Sequence, residues 1–175
     1  MLAIELMAWA AALSQAYLTY RIAICGDDGK VVRALMATCG ILLGVQSLIA
    51  GVAFNLAYAL ASLWPAAAYR LGPQGVVGGT IVIFLTATLL LGAPHGWAEW
   101  FGFAICIPLL AFSSGLATGQ PWHRHYTLTC ALLLPCVLWV HVVLEIWPVA
   151  LSALLGIITS AWTLARLTPR PIADG

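Results

Sequence analysis

The sequence predicts an all-α integral membrane protein with seven transmembrane helices, the N-terminus outside the cell and the C-terminus in the cytoplasm. Of its 175 residues, 63% are hydrophobic and only 7% are charged, and the mean hydropathy is +1.01. Because a soluble domain carries about 25% charged residues, this composition is not compatible with a water-soluble fold. At about 20 apolar residues per span, the chain has room for about six or seven helices joined by short loops.

The positions of the basic residues predict the number and orientation of the spans. With seven spans, every lysine and arginine falls in the loops after spans one, three and five or in the C-terminal tail. Short loops rich in lysine and arginine stay in the cytoplasm, whereas a six-span arrangement would scatter these residues over both faces. The basic residues are Arg21, Lys30, Arg33, Arg70, Arg124, Arg166 and Arg170. Three of the six acidic residues, Glu5, Glu99 and Glu145, fall on the other side.

The first three spans cover about residues 2–20, 34–50 and 52–69. Span one lacks the basic start and the cleavage pattern of a secretory signal peptide, so we expect it to be retained. A loop rich in glycine and aspartate follows it, as is typical of turns. Gly51 forms the tight turn between spans two and three, and Arg70 marks the exit of span three.

The remaining spans are separated by turn-forming and interfacial residues. Span four is rich in β-branched residues, which helices in lipid tolerate.

Two polar segments are expected in loops, Pro73-Gln74 before span four and His123-Arg124-His125 before span six. The C-terminal tail has two prolines and no apolar run, so we expect it to be disordered. Spans four to seven cover about residues 76–91, 101–118, 127–144 and 149–167.

Two parts of the chain share a polar residue followed by an arginine at nearly equal spacing. Gln46 precedes Arg70 by 24 residues, and His141 precedes Arg166 by 25. This pattern predicts a 3+1+3 parallel repeat, in which one linker helix lets two three-helix units keep the same orientation. The predicted units are residues 1–70 and 96–168, with a linker helix at 71–95 and a disordered tail at 169–175.

Three stretches carry a resemblance to a known family: VRALMATCGILLGVQSLIAG (32–51), LWVHVVLE (138–145) and SALLGIITSAW (152–162). Together with Arg166 and the chain length, they resemble the YgjV family of bacterial inner-membrane proteins. The layout of that family is similar to the three-one-three design of the SWEET and PQ-loop transporters. The resemblance implies a multi-pass protein of the bacterial inner membrane that transports or binds a small solute. Unlike SWEET proteins, this chain has no proline in spans one and two.

Polar side chains within the spans are the candidate solute-binding residues, because burying them in lipid costs free energy. Gln46 lies about 18 Å along span two and His141 about 21 Å along span six, and Asn55 reaches a similar depth in span three. If the repeats pack around a central axis, these residues line one cavity that is open to the outside. Glu145 follows His141 at i+4, so the pair could accept and release a proton. The alternative is that these side chains form packing hydrogen bonds between helices.

Enzyme, metal and cofactor functions are not expected. The spans hold no aspartate, and the chain has neither an HExxH motif nor a Ser–His–Asp set at one depth. His141 has no intramembrane histidine partner for haem, and the five cysteines match no metal-binding spacing. We interpret His123 and His125 as solvated residues beside anionic headgroups.

The net charge of +1 provides no basic field for nucleic acid. The predicted partners are the lipid bilayer, a small polar solute and further copies of the chain in a homo-oligomer. The sequence thus favours a small-solute transporter or solute-binding membrane protein. The alternative function is that of a non-transporting structural or regulatory membrane subunit.

Overall fold

The computed structural model describes residues 2–25, 29–50, 53–91, 94, 96–143, 145 and 147–167. Within these ranges the chain is helical apart from short turns and contains no strand, which confirms the all-α prediction. Six helical segments there are long and apolar enough to cross a membrane, with Asn55–Leu91 counted as one. The helices are α1 (Leu2–Cys25), α2 (Gly29–Ala50), α3 (Ala53–Ala68), α4 (Gly72–Leu91), α5 (Trp97–Ala117), α6 (His123–Val143) and α7 (Trp147–Leu167), with a 3-10 turn at Tyr69–Leu71 between α3 and α4.

The chain reverses its direction at the 3-10 turn between α3 and α4. Gly72, which follows the turn, has a φ of 75°, a conformation that glycine adopts without strain. The indole Nε1 of Trp64 donates a hydrogen bond to the carbonyl oxygen of Gly75 (3.3 Å). Further along, the ring of Tyr58 lies edge-on to that of Phe84, with 6.4 Å between centroids. Early residues of α3 therefore face late residues of α4, and the two helices pack antiparallel.

Two segments that the sequence places in loops lie inside helices. Pro73-Gln74 belongs to the first turn of α4, and His123-Arg124-His125 forms the first turn of α6, so both loop predictions were wrong. A proline fits the first helical turn because the amide hydrogen that it lacks would have no helical partner there. Long polar side chains at a helix end can reach the headgroup region, so hydropathy alone underestimates the length of such helices.

Other predicted features lie outside the described residues. These are the turn at Gly51, the basic residue Arg170 and the C-terminal tail at 169–175.

Several hydroxyl groups buried in these apolar helices bond to the backbone of their own helix, whereas that of Ser160 is buried without a hydrogen-bond partner among the described residues. Thr80 donates to the carbonyl oxygen of Val76 (2.8 Å), and Thr88 donates to that of Phe84 (2.7 Å). This bond satisfies the hydroxyl where no water can reach it. Ser114 instead donates to Oγ1 of Thr80 (3.0 Å), so it joins α5 to α4. Serine and threonine can therefore be buried between the helices.

All described basic residues lie at one end of the bundle, which we call the basic end. At this end α2 begins beside the last turn of α5, because a Cβ placed on Gly29 would lie 3.1 Å from the carbonyl oxygen of Ala117. Thr19, near the end of α1, likewise contacts Tyr126 near the start of α6. The basic end carries Arg21, Lys30, Arg33, Arg70, Arg124 and Arg166, and the opposite end, which we call the acidic end, carries Glu5, Glu99 and Glu145.

Close packing between α3 and α4 depends on a glycine. A Cβ placed on Gly79 would lie 2.2 Å from Nε1 of Trp64, whose indole is fixed by its bond to Gly75. A Cβ on the adjacent Gly78 would meet no atom within 4 Å. A methyl group at position 79 would therefore collide with the indole, whereas one at position 78 would not.

We expect Gly79→Ala to lower the free energy of unfolding by about 2 kcal/mol, because the new methyl group must displace the indole from a packed interface. The matched variant Gly78→Ala should leave it nearly unchanged. Reversible unfolding in mixed detergent micelles, followed by tryptophan fluorescence, measures both. Equal losses in the two variants would show that the indole of Trp64 does not need the space at Gly79.

Candidate functional site

Four helices surround a central axis. The packed neighbours are α1 with α2, α2 with α5, α5 with α6, and α6 with α1. In this ring, α2 lies diagonally opposite α6, and α1 lies diagonally opposite α5. The remaining helices pack on the outside, α3 on α2, α7 on α6 and α1, and α4 on α3 and α5. The space between the four ring helices is therefore where a path through the bundle would run.

The ring is closed toward the basic end by a cluster of apolar side chains, which we call the basic-end core. Each of the four helices contributes two residues to it, and all of them are 2% exposed or less. Burial of this apolar area stabilises the contact among the four helices. The members are Leu18 and Ile22, Val32 and Met36, Leu116 and Ala117, and Tyr126 and Cys130.

Two polar contacts reinforce the basic-end core. The hydroxyl of Tyr126 lies 3.4 Å from Oγ1 of Thr19 and joins α6 to α1. On the other side of the ring, the guanidinium of Arg33 donates to the carbonyl oxygen of Ala117 and joins α2 to α5. The same guanidinium lies 4.9 Å from the centre of the Tyr69 ring, a cation–π distance. Polar contacts therefore link both pairs of neighbouring helices that come from different halves of the chain.

Fewer side chains of the ring helices are buried toward the acidic end. No described side chain is buried in residues 2–10 of α1, 41–46 of α2, 97–104 of α5 or 131–139 of α6. The buried residues beyond these ranges in that direction are Ser47 and Val140, and the buried Ile105 borders the range in α5. The described buried side chains of the ring are therefore concentrated toward the basic end.

Gln46 and Asn55 lie at a similar depth on neighbouring helices. Gly44 of α2 faces Ala59 of α3 at 3.6 Å, measured from a Cβ placed on the glycine. Because the helices are antiparallel, Gln46 and Asn55 lie about 3 and 6 Å from that contact toward the acidic end. Both side chains are half-buried. Gln46 follows Cys39 by seven residues and lies on the same face of α2, and this face contacts α1. Asn55 lies on the same face of α3 as Ala59, and that face contacts α2.

His141 lies near the acidic end of α6, on the helix diagonally opposite that of Gln46. It is half-buried, and its Nδ1 lies 2.7 Å from the carbonyl oxygen of Val137, one turn earlier. Since a carbonyl oxygen only accepts, Nδ1 carries the proton, and Nε2 of the neutral ring is left as an acceptor. The structure thus places Gln46, Asn55 and His141 in the half of the bundle nearer the acidic end, on three different helices.

The expected i, i+4 relation between His141 and Glu145 does not hold. α6 ends at Val143, and Glu145 lies in the following turn with a left-handed φ of 58°. Its amide nitrogen donates to the carbonyl oxygen of Val142 (3.2 Å), and the residue is exposed. The i+4 face was wrong because Glu145 belongs to the turn into α7, where the sequence also predicts a solvated residue, rather than to the helix.

Gln15 is a polar residue of the ring that the sequence analysis did not select. It lies on the face of α1 that carries Ala11, Leu18 and Ile22 at helical spacing, and the latter two belong to the basic-end core. Its Oε1 lies 3.3 Å from the thiol of Cys39, which donates to it. This amide is therefore at mid-depth, on the acidic-end side of the basic-end core. Helical spacing from Leu18 and Ile22 is the signal that could have identified it.

Among the described residues, no group of three or more histidine, cysteine, aspartate or glutamate side chains is arranged to hold a metal ion. Comparison with protein-family models, curated proteins and solved structures gave no match to this chain. The geometry of the helix ring and the residues around it are therefore what bears on the function of this chain.

We expect Tyr126→Phe to lower the free energy of unfolding by about 1 kcal/mol. The Thr19 hydroxyl donates to the carbonyl oxygen of Gln15 (3.2 Å), so the Tyr126 hydroxyl is the donor that the substitution removes. Tyr20→Phe, at an exposed position of α1, is the matched control and should cost little. Unfolding in mixed micelles compares the two. A loss that is no larger for Tyr126→Phe than for Tyr20→Phe would mean that this bond does not stabilise the basic-end core.

Proposed function

We propose that the protein is a seven-span protein of the bacterial inner membrane, of the YgjV and SWEET-like type, that transports or binds a small polar solute. The observation that carries this proposal is the four-helix ring, which is closed by the basic-end core and has fewer buried side chains toward the acidic end. A path that is shut on one side and accessible on the other is the form that an alternating-access protein takes.

The pattern of helix contacts supports the 3+1+3 repeat. α2 packs on α3 as α6 packs on α7, and α1 packs on α6 and α7 as α5 packs on α2 and α3. Exchanging α1, α2 and α3 with α5, α6 and α7 therefore reproduces the arrangement, and α4 has no counterpart. Parallel three-helix repeats of this kind occur in small-solute transporters.

Seven spans account for the long apolar segment better than six. Asn55–Leu91 contains 37 residues and as one straight helix would be about 56 Å long, whereas the hydrocarbon core of a bilayer is about 30 Å thick. The reversal at the 3-10 turn divides it into two helices of 16 and 20 residues. All described basic residues then fall on one side, which we assign to the cytoplasm.

Cysteine labelling tests this topology. In a variant with the five native cysteines replaced by alanine, we expect Glu5→Cys and Glu145→Cys to react with a membrane-impermeant maleimide on intact cells. Arg124→Cys should react only after permeabilisation. A six-span chain would place Glu5 and Glu145 on opposite sides, so labelling of only one of these two positions from outside contradicts the proposal.

Gln46, Asn55 and His141 are the proposed solute-binding residues, with access from the acidic end. The amides can both donate and accept hydrogen bonds, and Nε2 of His141 can accept one from a solute hydroxyl or ammonium group. His141 also remains the proposed proton-coupling residue. Glu145 is its proposed partner, acting from the exposed turn rather than from the helix face.

The double variant Gln46→Ala/His141→Ala should lose at least about tenfold in solute affinity, because two hydrogen bonds are removed. Proteoliposome uptake of labelled sugars and amino acids, and ligand-induced thermal shifts with the same panel, measure this. The control is Thr38→Ala/Thr159→Ala, which removes two hydroxyls that bond to their own helices. Unchanged uptake and unchanged thermal shifts in the first double variant would contradict the proposed cavity.

The alternative, a non-transporting structural or regulatory subunit, has one observation in its favour. The hydrogen bond of His141 is made within its own helix, as is common for a polar side chain that only packs. If no solute of the panel is taken up by vesicles or shifts the unfolding temperature of the unmodified protein, this alternative replaces the transport proposal.

A further inference from the structure

We propose that a cavity at the basic end binds the headgroup of an anionic phospholipid, with an acyl chain of that lipid lying along α4. The proposal does not depend on transport. It uses only the side chains around this cavity and the assignment of the basic end to the cytoplasmic leaflet.

The cavity lies between the start of α4 and the connection from α5 to α6. Its volume is about 650 Å³, which is enough for a phospholipid headgroup and the first part of a chain. One wall comes from residues 71–78 and the other from residues 120–122. The lining residues are Leu71, Gly72, Pro73, Gln74, Val77, Gly78, Gln120 and Trp122.

The polar groups of the lining suit a phosphodiester. Gln74 and Gln120 lie on opposite walls, and each amide offers two N–H donors to phosphate or glycerol oxygens. Trp122 is held in place because its ring packs directly against Gly115, where a Cβ would lie 2.2 Å from the ring. An indole in this position is typical of the level of the headgroups, where an apolar ring and a polar N–H are both accommodated. The lining itself carries no charge that would have to be neutralised.

Two arginines supply positive charge beside the cavity. Arg70 directly precedes the lining residue Leu71, is exposed, and lies 5.7 Å from the centre of the Tyr69 ring. Arg33 approaches the same ring and also donates to the carbonyl oxygen of Ala117. Arg33 therefore links Tyr69, just before the wall at 71–78, to Ala117, just before the wall at 120–122. Each basic residue near the membrane surface favours anionic over zwitterionic lipid.

Among the described residues, the positive charges lie at this end and the acidic residues Glu5, Glu99 and Glu145 at the other. Asp27 and Asp28, between α1 and α2 in the sequence, lie outside the described residues. Basic pockets between transmembrane helices on the cytoplasmic side are recognised sites for anionic headgroups.

The shape of α4 indicates a lipid rather than a free anion. Gln74, Gly78 and Val82 are exposed and follow each other at i+4 spacing, so they form one face of α4 that leads from the cavity toward the middle of the bilayer. At Gly78 a Cβ would meet no atom within 4 Å, so this face has a depression beside the cavity. An acyl chain can lie in that depression while its headgroup occupies the cavity, whereas inorganic phosphate would use only the polar part.

The experiment uses the purified full-length protein in detergent, with lipid added back and bound lipid counted by native mass spectrometry. We expect phosphatidylglycerol to be retained in preference to phosphatidylcholine. Arg70→Gln, at an exposed position, should lower the affinity for phosphatidylglycerol about fivefold. Gly78→Leu should fill the depression and lower retention of this lipid to a similar or greater extent.

The matched control is Gly102→Leu on α5, where a Cβ also meets no atom within 4 Å but the residue lies nearer the acidic end. It should retain phosphatidylglycerol like the unmodified protein. Circular dichroism shows whether each variant is folded, and Arg70→Gln provides the test if Gly78→Leu does not fold.

Three results would overturn the proposal. Equal retention of phosphatidylcholine would show that the headgroup charge is not recognised. Inorganic phosphate that displaces phosphatidylglycerol at millimolar concentration would show a site for free anions. Retention of phosphatidylglycerol in folded Arg70→Gln at the level of the unmodified protein would place the bound lipid elsewhere.

Discussion

The packing of α1, α2, α5 and α6 into the basic-end core is the contact on which the rest of the structure depends. In a bilayer, apolar side chains gain little from leaving lipid for protein, so helix association depends on close packing and on the few polar bonds between helices. Here eight buried side chains come together with the contacts made by Tyr126 and Arg33. The outer helices α3, α4 and α7 pack on the outside of this ring.

Polar side chains follow the same constraint throughout the bundle. Thr80 and Thr88 bond to their own helix, while Ser114 reaches Thr80 on a neighbouring one. His141 bonds to Val137 through Nδ1. A ring nitrogen that can still accept, in a region where fewer side chains are buried, is one of the few polar groups available to a solute there.

The helical fold could be predicted from composition, because so few charged residues leave no other way to satisfy the backbone in a membrane. The basic end could be predicted from the arginines. The starts of α4 at Pro73-Gln74 and of α6 at His123 could not be predicted, because hydropathy does not distinguish a polar first turn from a loop.

Spacing along a helix predicts how far Gln46, Asn55 and His141 lie from the helix ends, but it does not predict which side chains they contact. Which helices lie next to each other depends on how all of them pack together, and a local sequence pattern does not determine that. The role of Gln15 beside Cys39 and the need for glycine against Trp64 therefore became visible only in three dimensions.

The short connection between α3 and α4 has a mechanical consequence. Three residues of 3-10 turn join the helices, and the bond from Trp64 to Gly75 and the indole packed on Gly79 hold them together. On its other side, α4 is held to α5 by the bond from Ser114 to Thr80 and by Phe84, which packs in one cluster with Leu110. A single helix therefore fastens the N-terminal three helices to the C-terminal three, instead of acting as a neutral spacer.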